Sequence, residues 1–115
     1  MISVSLYKDA DAVTQRLERR RTELREEIRN TLLRANSERY ANIADQLNDA
    51  EDQSLAELLA DVSNAEVARD LDEVRDIDGA LGRLTAGTYG QCVNCGTTIP
   101  AARLDAYPTA KRCLP

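Results

Sequence analysis

The sequence predicts a mainly α protein: a long antiparallel α-helical coiled-coil hairpin followed by a small cysteine-bearing module. Three observations carry that prediction. From Asp9 to Asn48 there is neither Gly nor Pro, and apolar residues recur at the helical period. A second periodic run follows a short polar turn and ends among glycines. The segment from Gly87 to Pro115 holds all three cysteines of the chain.

In the first run, Val13, Leu17, Leu24, Ile28, Leu32, Ala35, Ile43 and Leu47 are spaced by sums of three and four. Asp9 or Asp11 suits its start, and "RLERRRTELREEIR" offers Glu/Arg pairs at three- and four-residue spacing on an exposed face. Between the runs lies "NDAEDQS", rich in turn and capping residues, with Ser54 as the expected N-cap of the second helix. The second stripe uses Leu55, Leu58, Val62, Ala65, Leu71, Val74, Ile77, Leu81 and Leu84, and Gly87 and Gly90 are natural stops. Gly79 and Gly82 inside it would each cost about 1 kcal/mol against Ala, which points to fraying or close packing.

Two helices joined by so short a turn run antiparallel. Helices of roughly 33 to 40 residues would make a rod of about 50 to 60 Å. The expected organisation is a hairpin over residues 1–88, with an exposed tip near 48–54, and a separate module over 89–115.

Composition narrows the chemistry. There is no His, Trp or Phe and only four Tyr, so the usual acid/base group near neutral pH is missing and no nucleophile and base constellation is visible. The reading is a non-enzyme. No basic leader precedes an apolar run, and no stretch approaches a membrane span, which reads as a soluble cytoplasmic chain. Residues 41–80 carry two basic and twelve acidic groups, a net −10, while residues 1–40 carry nine and seven and residues 81–115 four and one. That acidic middle would repel a phosphate backbone.

Cys92 and Cys95 form a Cys-x2-Cys pair, and Cys113 follows after seventeen intervening residues. A structural zinc takes four N or S ligands, and this spacing supplies three positions of a four-cysteine zinc finger. A fourth would fall at position 116. Gly96 suits the tight turn after the knuckle. Three readings stand: a shortened chain whose three thiolates hold Zn2+ with a water or outside ligand, a metal-free knuckle held by packing, or a redox pair at Cys92 and Cys95. The last lacks its usual strand-to-helix setting.

"YGQCVNCGTTIPAARLDAYPTAKRC" resembles the zinc-finger segment of the DksA/TraR family of bacterial transcription regulators. Tyr89, Gly90, Cys92, Cys95, Gly96, Ile99, Arg103, Leu104, Ala106, Pro108 and Cys113 stand at the family's positions. The chain departs from the pattern at the fourth cysteine and in the C-terminal helix that usually follows. The resemblance implies a monomeric non-enzymatic regulator that binds RNA polymerase, inserts its coiled coil into the secondary channel and modulates initiation, in many members with ppGpp. It implies zinc on Cys92, Cys95 and Cys113, and an active tip at Asp49, Asp52 and Ser54, where Ser54 replaces the family's alanine. It also implies a ppGpp contact at Arg69.

Two other classes fit parts of the sequence. One is a zinc-finger nucleic-acid binder using Arg103, Lys111 and Arg112, which the acidic middle opposes. The other is a coiled-coil adaptor or homo-oligomeric scaffold, for which pairing within one chain costs less loop entropy.

Overall fold

The computed structural model describes residues 10–112, apart from the side chains of Asp52 and Gln53. Five helices follow in order: α1, Ala10–Arg34; α2, Glu38–Leu47; α3, Asp52–Leu58; α4, Ala65–Ala86; and α5, Ala101–Ala106. None of them is long and apolar enough to cross a membrane. The fold is mainly α, an antiparallel α1/α4 helical hairpin with the cysteine module after it. The chain forms two compact units, one of Arg21–Val74 and one of the described residues up to Arg20 together with those from Arg75 onward. Each of α1 and α4 contributes to both.

Within Arg21–Val74 the connection between α1 and α4 is itself a helical pair, which corrects the expectation of two unbroken helices. The first run breaks at residues 35–37. Asn36 takes φ 53, the left-handed region that Asn tolerates better than most residues. Ser37 then caps α2, its hydroxyl accepting from the Tyr40 amide at 3.3 Å. The sequence is weakest there, because Ala35 is the single stripe position between Leu32 and Ile43, and it is exposed.

The break reverses the chain. Arg25 Nη2 on α1 donates to the carbonyl of Leu47 at 2.8 Å and also to that of Ala50. On one straight helix, residues 25 and 47 would lie about 33 Å apart. Helix α2 therefore returns alongside α1, and α3 packs on α2. Burial agrees: Leu24 and Ile28 are 0% exposed and Leu32 1%. A seam between only two helices leaves such side chains partly in water, whereas returning helices enclose them.

The second run breaks at Leu59–Asn64. Asn64 is the N-cap of α4, its Oδ1 accepting from the amides of Glu66 at 2.9 Å and Val67 at 3.1 Å. Ser54, the expected cap, instead lies inside the first turn of α3. The residue before that helix is Glu51, whose side chain makes no capping bond. Two exposed ion pairs bridge the level of the breaks, Arg34 to Glu66 at 3.4 Å and Arg39 to Asp61 at 3.7 Å. Asp11 falls in the first turn of α1, where a carboxylate suits the helix dipole. Asp9 lies outside the described residues.

In the other unit, α4 runs through Gly79 and Gly82 without fraying. A Cβ at Gly79 would stand 3.3 Å from Arg83 Nη1, so the missing side chain gives that guanidinium room. The helix ends in a Schellman motif: Gly87 takes φ 80, its amide bonds Leu84 O at 3.3 Å, and the Thr88 amide bonds Arg83 O at 2.9 Å. Gly87 was legible as a stop for this reason. Burial pushes the Arg83 guanidinium below its ordinary pKa, against the raising effect of Tyr89 and Asp76.

Candidate functional site

The cysteine module is built around a small core of Tyr89, Cys92, Ile99 and Leu104, all buried. Tyr89 is fully enclosed, and its hydroxyl donates to the Pro108 carbonyl at 2.8 Å. Gly90 takes φ 87, so the chain can turn tightly against Leu104. An isolated antiparallel bridge pairs Gln91 with Thr98, and the Ile99 amide bonds Gly90 O at 2.7 Å. Pro100 then opens α5, which Arg16 of α1 grips by donating from Nη1 to Asp105 O at 2.9 Å.

Inside that frame lies the knuckle. The Cys92 amide bonds Thr97 O and the Gly96 amide bonds Cys92 O, both at 2.8 Å, with Gly96 at φ 78. This turn brings Cys92 and Cys95 onto one loop. Cys92 is buried and Cys95 exposed. The Val93 amide bonds Lys111 O at 2.8 Å, which lays the chain two residues before Cys113 against the same knuckle. Cys113 itself lies outside the described residues, and among those described no group of three or more metal ligands is complete. The described donors fit zinc: two thiols on a glycine knuckle, and a Thr97 hydroxyl 3.0 Å from Cys95 Sγ that can donate to a thiolate.

The acidic turn has a different setting. Asp49 and Ser54 are exposed, and with Gln46, Ala50, Glu57 and Leu58 they line an open groove of about 530 Å³. Asp52 opens α3, but its side chain is not described. The turn stands at the level of Arg25, whose guanidinium holds the carbonyls of Leu47 and Ala50. The sequence reading missed Arg25, because on a straight helix it would be one more exposed member of an Arg-rich run. Arg69, the position implied for ppGpp, is exposed on α4.

Of the basic residues considered for nucleic acid, Lys111 and Arg112 are exposed. Arg103 is engaged within the module: its Nε donates to Arg112 O at 3.3 Å and its guanidinium lies 6.0 Å from the Tyr107 ring.

Residues 87–115 match the prokaryotic dksA/traR C4-type zinc finger. The RNA polymerase-binding transcription factor DksA of Caulobacter vibrioides is 34% identical over 90 residues, 76% of this chain and 58% of that protein. Its Escherichia coli counterpart is 31% identical over 98 residues, 85% and 62% of the two chains. An uncharacterized Haemophilus influenzae protein is 36% identical over 74 residues, 64% of this chain and 85% of its own. The chain belongs to the DksA/TraR C4-type zinc-finger family. It spans about three-fifths of the length of the two DksA proteins. No solved structure matches it.

Membership carries zinc with it, since a C4-type finger is held by Zn2+ on cysteine thiolates. The family's residue pattern also gains physical reasons. Tyr89 ties the start of the module to Pro108, Gly90 and Gly96 occupy positive φ, and Ile99 and Leu104 fill the core.

Proposed function

We propose that this chain is a non-enzymatic cytoplasmic regulator that binds bacterial RNA polymerase and modulates transcription initiation. The observation that carries the proposal is the similarity to RNA polymerase-binding DksA proteins over 76% and 85% of the chain, beyond the finger alone. Zinc on Cys92, Cys95 and Cys113 fixes the module that follows α4. The α1/α4 hairpin enters the secondary channel as a monomer, and Asp49, Asp52 and Ser54 act there by electrostatics and hydrogen bonding on polymerase elements. Ser54 offers a hydroxyl in place of a small apolar contact. Any response to ppGpp runs through Arg69, and Arg69→Ala abolishes it under this reading.

The test is competition with Escherichia coli DksA for purified core polymerase. Displacement is expected, and its absence at high micromolar concentration would overturn the proposal. Asp49→Asn and Asp52→Asn should then retain displacement while losing the effect on promoter complexes.

A second reading is favoured by one observation. Tyr107 is 64% exposed with the Arg103 guanidinium 6.0 Å from its ring, and Lys111 and Arg112 a few residues on are exposed, an aromatic and basic set suited to stacking on single-stranded nucleic acid. It requires salt-dependent binding of single-stranded DNA or RNA that Tyr107→Ala weakens; no binding at low salt removes it.

A further inference from the structure

We infer that Thr97 is a positioning residue of the zinc site: its hydroxyl donates to the thiolate of Cys95, holding the solvent-facing ligand of the pair in place and lowering its reactivity. This role rests on the proposed zinc ligation by Cys92 and Cys95 and is independent of polymerase.

The two thiols of the knuckle stand in unlike surroundings. Cys92 is 3% exposed and belongs to the small core with Tyr89, Ile99 and Leu104, whereas Cys95 is exposed. The thiolate is both the metal-binding and the nucleophilic form of cysteine. Packing therefore screens Cys92 from electrophiles and leaves Cys95 as the ligand they can reach. A partner that protects this sulfur must be a polar group at the surface. Thr97 supplies one, its Oγ1 standing 3.0 Å from Cys95 Sγ.

Metal ligation fixes the direction of that bond. In a free thiol either atom can donate. A thiol coordinated to a metal ion has lost its proton, so the sulfur only accepts and the hydroxyl donates. The bond draws electron density from the sulfur and orients it, as polar partners of metal ligands generally do. Thr97 is not one of the positions that define the finger's pattern, so its hydroxyl adds to the ligand set without belonging to it.

The donor is held from both sides. The Thr97 carbonyl accepts from the Cys92 amide at 2.8 Å, and the next residue, Thr98, is bridged to Gln91. Between Cys95 and Thr97, Gly96 takes φ 78 and its amide bonds Cys92 O at 2.8 Å. The β-branch of threonine restricts χ1 as well. Water can also donate to an exposed sulfur, but it loses freedom that Thr97 has already given up on folding.

The test uses the full zinc-loaded chain as wild type, as Thr97→Val, which keeps the shape without the hydroxyl, and as Thr97→Ser, which keeps the hydroxyl. The probe is iodoacetamide, with alkylation of each cysteine followed by mass spectrometry. Cys95 should react about tenfold faster in Thr97→Val, the low end for loss of such a partner because water replaces part of it. Thr97→Ser should stay close to wild type, and Cys92 should be unaffected. In the cobalt-loaded chain the thiolate-to-metal charge-transfer band should move to lower energy in Thr97→Val and not in Thr97→Ser. An unchanged Cys95 rate in Thr97→Val would overturn the role of Thr97. So would equal acceleration in the Val and Ser variants, which would assign the effect to shape, or equal acceleration of Cys92 and Cys95, which would mean a loosened module. A wild-type Cys95 that reacts equally with and without zinc would overturn the ligation as well, so the two failures are distinguishable.

Discussion

Replacing Leu24 with Ala should cost about 3 to 5 kcal/mol, and the size of that loss tests how α1 is covered. Leu24 is 0% exposed, as is Ile28 one turn on. Truncation to Ala removes three carbons from a fully enclosed site, at about 0.8 kcal/mol each, or roughly 2.4 kcal/mol of transfer energy. The unfilled cavity accounts for the rest, because helices on several sides cannot all relax into it. In a bare two-helix seam the same side chain would be half in water and no closed cavity would form. The loss would then be nearer about 1 kcal/mol. The assay is urea unfolding followed by circular dichroism, with zinc present. With a slope of about 1 to 3 kcal/mol per molar, the enclosed case lowers the midpoint by about 2 M at unchanged slope. A loss near 1 kcal/mol would refute the reasoning that α2 and α3 return to cover α1.

Three further outcomes follow from single contacts. Tyr89→Phe keeps the buried ring and leaves the Pro108 carbonyl without its 2.8 Å donor, and should cost about 1 to 3 kcal/mol in the same assay. Asn64→Ala removes both amide partners at the start of α4 and should cost about 1 kcal/mol, while Asn64→Asp should be nearly neutral. Chelation of zinc, or Cys92→Ser, should abolish amide-exchange protection across residues 89–104 and leave α2 and α3 protected, read by hydrogen exchange. Retained protection after verified metal removal would mean that packing of Tyr89, Ile99 and Leu104 suffices to hold the module.

The finger was legible because its residues are there for local reasons. A glycine at positive φ, a Cys-x2-Cys spacing and a proline before α5 each act within a few residues, and the sequence displays them directly. The stripes on α1 and α4 were legible for a similar reason: Val13, Leu17, Leu24, Ile28, Val74 and Ile77 repeat at the helical period, and all are buried. The reversal at residues 35–37 was hidden by that same periodicity. Helical period reports which face is apolar, and a hairpin folded at Asn36 uses the same face as a straight helix would. Asn36-Ser37 is a turn and capping pair, but the sequence shows no Gly or Pro to mark it. Asn64, preceded by Ser63, caps α4 in a run whose apolar spacing continues through Val62 and Ala65. Arg25 was invisible for a stronger reason, because its partners are backbone carbonyls 22 and 25 positions away, which no side-chain pattern encodes.

The acidic middle of the chain invites an electrostatic account of the folded-back pair, and the magnitudes argue against it. The cross-limb ion pairs join side chains that are 65% and 58% exposed at Arg34 and Glu66, and 61% and 86% at Arg39 and Asp61. Pairs so solvated contribute about 0 to 1 kcal/mol and are screened by salt. They link residues at the two breaks and add little to the hold on the folded-back pair. Hydrogen bonds from a guanidinium are stronger, about 1.5 to 3 kcal/mol each, and two of them converge from the part-buried Arg25. That sum, about 3 to 6 kcal/mol, exceeds the cost of about 1 to 2 kcal/mol for holding one L-residue left-handed at Asn36. Apolar enclosure of Leu24 and Ile28 adds to the same side. The balance is therefore set by one arginine and the core beneath it, while the twelve acidic residues of 41–80 fix the sign of the charge that a partner of this region would meet.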